Sequence, residues 1–130
     1  MTHTVLIVDD SKLARMVACK ALAKLRPEWA CVEAGDAKQA MEALSVQKVD
    51  ISLIDLNMPG GSGLALAADL RRQRPNMPIA VVTANIQDEI VARVRELDAT
   101  FVAKPLTEEA LSAFLAGANL RLRKAAQSGG

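Results

Sequence analysis

The chain has 130 residues, 51% of them apolar and 24% charged, which excludes a disordered polymer and suits one domain burying a single core without staples. Basic and acidic side chains nearly cancel, to a formal charge of +1, too balanced for a nucleic-acid-binding surface or an electrostatic membrane anchor. No apolar run approaches the roughly 20 residues that span a bilayer and no signal peptide opens the chain, so a soluble, cytoplasmic protein is expected.

The first apolar segment, Thr4–Val8, is short and rich in Val and Ile, as a strand requires. Ser11 then offers an N-cap, and Ala14, Val17, Ala18, Ala21, Leu22 and Leu25 fall on one helical stripe closed by Pro27. A second strand covers Ala30–Ala34. Asp36 with Gln39 three residues on resembles a capping box opening a helix through Leu44. The third strand, Ile51–Ile54, leads to a helix from Gly63 to Arg74 that stops before Pro75, and Gly60, Gly61 and Gly63 read as a flexible turn between them. A fourth strand, Ile79–Thr83, precedes a helix from Ile86 to Leu97, and a fifth, Thr100–Ala103, precedes a helix starting near Thr107. That helix carries Ala110, Leu111, Phe114, Leu115 and Ala118 on its buried side, and residues 125–130 read as a disordered tail after a domain spanning 1–124. The first, third and fourth strands are almost continuously apolar, as central strands covered on both faces should be.

Strand and helix alternate five times with short connections, which predicts an α/β fold: a doubly wound parallel sheet with helices on both faces. Ligands of such sheets bind at the carboxyl ends of the strands. There the first strand delivers Asp9 and Asp10, the third Asp55, the fourth Thr83 and the fifth Lys104 followed by Pro105. Clustered carboxylates raise one another's pKa, and a divalent cation relieves the repulsion. All-oxygen donors without His or Cys favour Mg²⁺, or Mn²⁺, over zinc. Lys104 adds the positive charge an anion such as phosphate needs in an acidic pocket. Any one of these residues alone is an ordinary turn or cap residue; the set, gathered from four different strand ends, is not.

Two other features carry less. Arg121, Arg123 and Lys124 read as the solvated last turn of a helix. Cys19 and Cys31 form no CxxC pair and have no His nearby, so they read as small buried thiols of a reduced protein, neither a disulfide nor metal ligands.

The segments LIVDDS, SLIDLNMPGGSG, VVTA and FVAKP, in this order and spacing, resemble the receiver domain of two-component response regulators over roughly residues 4 to 120. The resemblance implies a flavodoxin-like fold with strand order 2-1-3-4-5, like the chemotaxis regulator. It implies that Asp55 accepts a phosphoryl group from a sensor histidine kinase or a histidine phosphotransfer protein. Asp10 would bind Mg²⁺ directly, Asp9 largely through water, and the backbone carbonyl of Asn57 would be a further ligand. Lys104 would contact the phosphoryl group, its bond to Pro105 would be cis, and Thr83 would hydrogen-bond the new phosphate. Phe101 would swap between exposed and buried rotamers. A downstream protein would read the result on the face of the fourth helix, fifth strand and fifth helix, around Ile86, Val91, Phe101 and Ala103. Asn57 and Asn85 sit where the family tunes phosphate lifetime, and Trp29, far from Asp55, is a poor reporter of it.

Two rivals fit less well. A phosphatase of the haloacid dehalogenase type needs a second Asp two residues after its nucleophile, where this chain has Asn57, and a cap domain for which the chain is short. A nucleotide- or flavin-binding module needs a glycine loop after the first strand, where Asp9-Asp10-Ser11-Lys12 stands. The sequence leaves open whether this is a stand-alone regulator or a receiver excised from a longer protein.

Overall fold

The computed structural model describes residues 2–58 and 61–128. In chain order the elements are β1 (Thr4–Val8), α1 (Lys12–Leu25), β2 (Ala30–Ala34), α2 (Ala37–Val46), β3 (Ile51–Asp55), β4 (Asn57–Met58), β5 (Gly61–Ser62), α3 (Gly63–Gln73), β6 (Ile79–Thr83), α4 (Asp88–Glu96), β7 (Thr100–Ala103) and α5 (Glu108–Ser128). Five strands form one all-parallel sheet in the order β2-β1-β3-β6-β7. Counting only those five, this is the expected 2-1-3-4-5 order. The strands β4 and β5 form a separate two-residue antiparallel hairpin directly after β3.

Alternation of side chains along each strand divides the core in two. Leu6, Val8, Ile54, Ile79 and Val81 point to one face with Leu66, Leu70 and Val94 of α3 and α4. Val5, Ile7, Leu53, Val82 and Val102 point to the other with Leu22 of α1 and Leu111 and Leu115 of α5. Every residue of β3 and β6 is buried, which is why their sequences read as continuous apolar runs.

The helix starts follow from local chemistry. Ser11 accepts the Ala14 amide, Asp36 the Gln39 amide, Ser62 the Ala65 amide and Thr107 the Ala110 amide. The Gln39 Oε1 in turn accepts from the Gly35 amide at 2.6 Å, one residue outside the usual box. At the opposite edge Arg71 donates to the carbonyls of Leu97, Arg74, Pro75, Met77 and Asp98. It ties α3 to the turns entering β6 and β7. Burial and the nearby Arg121 push the Arg71 guanidinium pKa down, against the pull of Asp98.

Several expectations need correction. Cys19 and Cys31 are joined as a disulfide, their Cα atoms 5.8 Å apart. The packing of α1 over the edge strand β2 brings the pair together, and a sequence separation of 12 residues carries no pattern that announces it. Val17 is exposed, as are Leu13 and Met16, because Leu13 and Val17 border an open cavity at the end of the sheet and are not covered by α5. The helix α4 begins two residues later than predicted, at Asp88. The tail predicted from residue 125 is helical through Ser128, since Ala125, Ala126 and Gln127 are good helix formers. Residues 129–130, like Pro59 and Gly60 of the glycine turn, lie outside the described residues.

Candidate functional site

At the carboxyl end of the sheet the topology delivers Asp9 and Asp10 from β1 and Asp55 from β3, next to each other across the point where the winding reverses. Each of the three can place one carboxylate oxygen within 4.8 Å of the others. Asp9 and Asp55 are buried, Asp10 exposed. Lys104 reaches in from the end of β7, its Nζ 3.1 Å from Asp55 Oδ1 and 3.7 Å from Asp9 Oδ2. The Lys104–Pro105 bond is cis.

Electrostatics follow from this crowding. Burial raises the Asp55 pKa, the Lys104 hydrogen bond opposes that, and the Asp9 charge adds to it; the net shift is upward from 3.8. For Lys104 burial disfavours the ammonium, but the hydrogen bond to Asp55 and the charges of Asp55 and Asp9 outweigh it and hold its pKa above 10.5. The site therefore carries excess negative charge that a single lysine does not offset. An all-oxygen cluster of this kind fits a hard divalent cation such as Mg²⁺.

Asn57 opens the hairpin after β3, and its amide approaches Asp55 Oδ1 at 3.4 Å. Thr83 is buried, and its Oγ1 accepts the Asn85 amide at 3.0 Å. Phe101 is half-buried on the face that also holds Val81, its partner across the β6–β7 ladder. By strand alternation Thr83 shares that face, whereas Asp9 and Asp55 share the opposite one. The predicted residues thus form an acidic group with Lys104, while Thr83 and Phe101 lie on the other face of the sheet.

Sequence reasoning missed two supports. The Ser11 amide donates to Asp9 Oδ1 at 2.9 Å, and Arg15 Nη1 donates to the Asp9 carbonyl at 2.6 Å. Ser11 was legible as a cap, but nothing in the spacing marked Arg15. Gly63 was read as part of a flexible turn, yet a Cβ there would lie 2.9 Å from the Asp55 carbonyl carbon and from Leu56 Cα. Its role is close backbone approach. Beside Asp55 opens a cavity of about 340 Å³, walled by Leu13, Ala14, Val17, Lys104 and Leu106.

Known proteins carry the same pattern. The family described as response regulator receiver domain matches residues 5–116. The chain is 34% identical over 122 residues to the sensor histidine kinase RcsC of Salmonella typhi, covering 92% of this chain and 13% of that protein. It is 36% identical over 111 residues to the probable transcriptional regulatory protein TcrX of Mycobacterium tuberculosis, covering 82% of this chain and 45% of that one. The chain thus spans less than half of either relative. Among solved structures, the Vibrio cholerae chemotaxis protein CheY4 superposes with a TM-score of 0.82 at 25% identity, over 91% of this chain and 99% of that one. With the fold, the acidic cluster and the match over residues 5–116 in agreement, the chain belongs to the response regulator receiver domain family, the signalling domains of two-component systems.

Proposed function

We propose that this chain is a phosphorylation-controlled switch in which Asp55 takes a phosphoryl group from the phosphohistidine of a sensor histidine kinase or histidine phosphotransfer protein. The observation that carries this is the buried Asp55 carboxylate, 3.1 Å from Lys104 and grouped with Asp9 and Asp10. Asp9, Asp10, Asp55 and the Asn57 carbonyl would hold Mg²⁺, which when bound neutralises the cluster and offsets charge on the transferring group.

A carboxylate oxygen of Asp55 attacks phosphorus, the P–N bond breaks, and its electron pair returns to the imidazole of the donor. Lys104 neutralises the phosphoryl oxygens as they arrive, and the transfer is catalysed by the receiver's own residues rather than by a separate enzyme. The same residues support loss of the group to water, at a rate tuned by Asn57 and Asn85. Thr83, whose Oγ1 already accepts from Asn85, donates its hydroxyl hydrogen to a phosphoryl oxygen. That movement vacates space on the face it shares with Phe101, whose ring turns inward. The changed surface comprises α4, β7 and α5, with Ile86, Val91, Phe101 and Ala103; of these Phe101 and Ala103 line an open groove of about 490 Å³ between β7 and α5. A downstream protein reads it there. Phosphorylation shifts this equilibrium only by its differential stabilisation of the active form. The balanced charge and the absence, among the described residues, of a helix able to cross a membrane accord with cytoplasmic action on a protein partner.

Beryllofluoride, a stable phosphoryl mimic, tests this. With Mg²⁺ it should raise the melting temperature of the native chain and shift the Phe101 ring resonances, and do neither in Asp55→Asn. An unchanged ring would refute the Phe101 movement, and an equal response in Asp55→Asn would refute the assignment of Asp55.

A further inference from the structure

The seam between α1 and β2 is fastened twice. One turn of α1 separates Cys19 from Arg15, and two residues of β2 separate Cys31 from Glu33, so both pairs face each other across the same seam. Cys19 is bonded to Cys31, and Arg15 Nε donates to Glu33 Oε1 at 3.1 Å. Arg15 does more than bridge: its Nη1 holds the Asp9 carbonyl at 2.6 Å. A continuous path therefore runs from the disulfide, along α1, to the backbone of the acidic turn. Among the described residues β2 pairs only with β1, so without the disulfide its alignment with α1 depends on weaker contacts.

We infer that Cys19 and Cys31 form a redox modification site, opened by a dithiol, that sets the Mg²⁺ affinity of Asp9, Asp10 and Asp55 through Arg15. The inference rests on the proposed function for its metal and its compartment. Disulfides in a reducing compartment are characteristically transient and redox-responsive, and both cysteines here are only half-buried at a sheet edge. In the reaction a thiolate of the dithiol attacks one sulfur and expels the other as Cys thiolate. Its second thiol then displaces the remaining protein sulfur. The protein gains two electrons and two protons, and the dithiol closes into its own disulfide.

Two consequences of opening act in the same direction. Slippage of α1 on β2 releases the Asp9 carbonyl, so the acidic turn is less pre-organised for a cation. Freed from Glu33, the Arg15 guanidinium can also swing toward the carboxylates and compete with Mg²⁺. Arg15 is thus a positioning residue. Trp29, two residues before Cys31 and packed in the same apolar cluster, reports the state of the pair by its fluorescence although it is far from Asp55.

The test is titration calorimetry of Mg²⁺ into the full chain, oxidised and then reduced with a dithiol, with alkylation and mass spectrometry fixing the redox state. Reduction should weaken Mg²⁺ binding about fivefold, lower the melting temperature by about 10 °C and change Trp29 emission. Cys19→Ser/Cys31→Ser should match the reduced chain with or without reductant. Oxidised Arg15→Ala should already bind Mg²⁺ weakly and lose no further affinity on reduction. Equal affinity in both redox states, or two alkylatable thiols after oxidation, overturns the inference. So does Arg15→Ala that still responds to reductant. Absence of Mg²⁺ binding in both states is a different result, contradicting the metal-dependent function itself.

Discussion

Gly63 offers a substitution whose consequence follows from distance alone. It is the first residue of α3 and is buried, its amide donates to the Leu56 carbonyl at 2.7 Å, and its Cα faces the backbone of Asp55 and Leu56. A methyl group in Gly63→Ala would stand 2.9 Å from the Asp55 carbonyl carbon and from Leu56 Cα, with the Asp55 carbonyl oxygen closer still. Carbon atoms in contact prefer about 3.5–4.0 Å, so the two carbon contacts alone require α3 or the end of β3 to retreat by at least about 0.6–1 Å, and the carbonyl oxygen requires more. The obstacle is backbone and cannot rotate away, which puts the cost at the upper end for overpacking, about 3 kcal/mol. If the strand end moves, Asp55 moves with it, and a misplacement near 1 Å costs roughly 100-fold in rate. Urea unfolding gives the first quantity, and the initial rate of phosphorylation from a small phosphodonor gives the second. Gly117→Ala in α5, where a Cβ meets nothing within 4 Å, is the control and should stabilise by about 0.5–1 kcal/mol. Gly63→Ala with native unfolding midpoint and rate would refute the close-approach argument.

Arg71→Ala removes the donor shared by five carbonyls and should cost about 2–4 kcal/mol in chemical denaturation; Arg71→Lys should recover little, because one ammonium cannot span them. The raised Asp55 pKa gives a signed pH dependence: between 3.8 and that raised value the folded chain holds more protons than the unfolded one, so stability falls as pH rises. In Mg²⁺-free buffer Asp55→Asn should therefore be more stable than the native chain at pH 7, the gap closing as pH falls through the raised value, which thermal melts across pH would show. Thr83→Ala should still accept a phosphoryl group but fail to move the Phe101 ring on beryllofluoride binding, a result NMR reads directly.

The sheet was legible because its strands obey simple rules: β1, β3 and β6 are covered on both faces and therefore almost continuously apolar, and Ser11, Asp36 and Thr107 announce their helices. The acidic group was legible for a topological reason, since a parallel sheet must bring its strand ends together. What escaped depends on tertiary geometry. The Cys19–Cys31 bond and the Arg15 bridge arise where α1 crosses an edge strand, and neither has a local signature. Gly63 looked like loop chemistry because sequence shows a missing side chain but not the backbone that occupies its place. Val17 fitted the helical stripe, yet it borders an open cavity and stays exposed.

The most direct measurement is intact-mass spectrometry after incubation with a small-molecule phosphodonor, with Mg²⁺ or with a chelator, on the native chain and Asp55→Asn. A single added phosphoryl group on the native chain with Mg²⁺, and none with chelator or on Asp55→Asn, is the expected result. Phosphorylation that persists in Asp55→Asn or in chelator, or an unmodified native chain that also ignores beryllofluoride, would contradict the assignment of Asp55 as a metal-dependent phosphoacceptor.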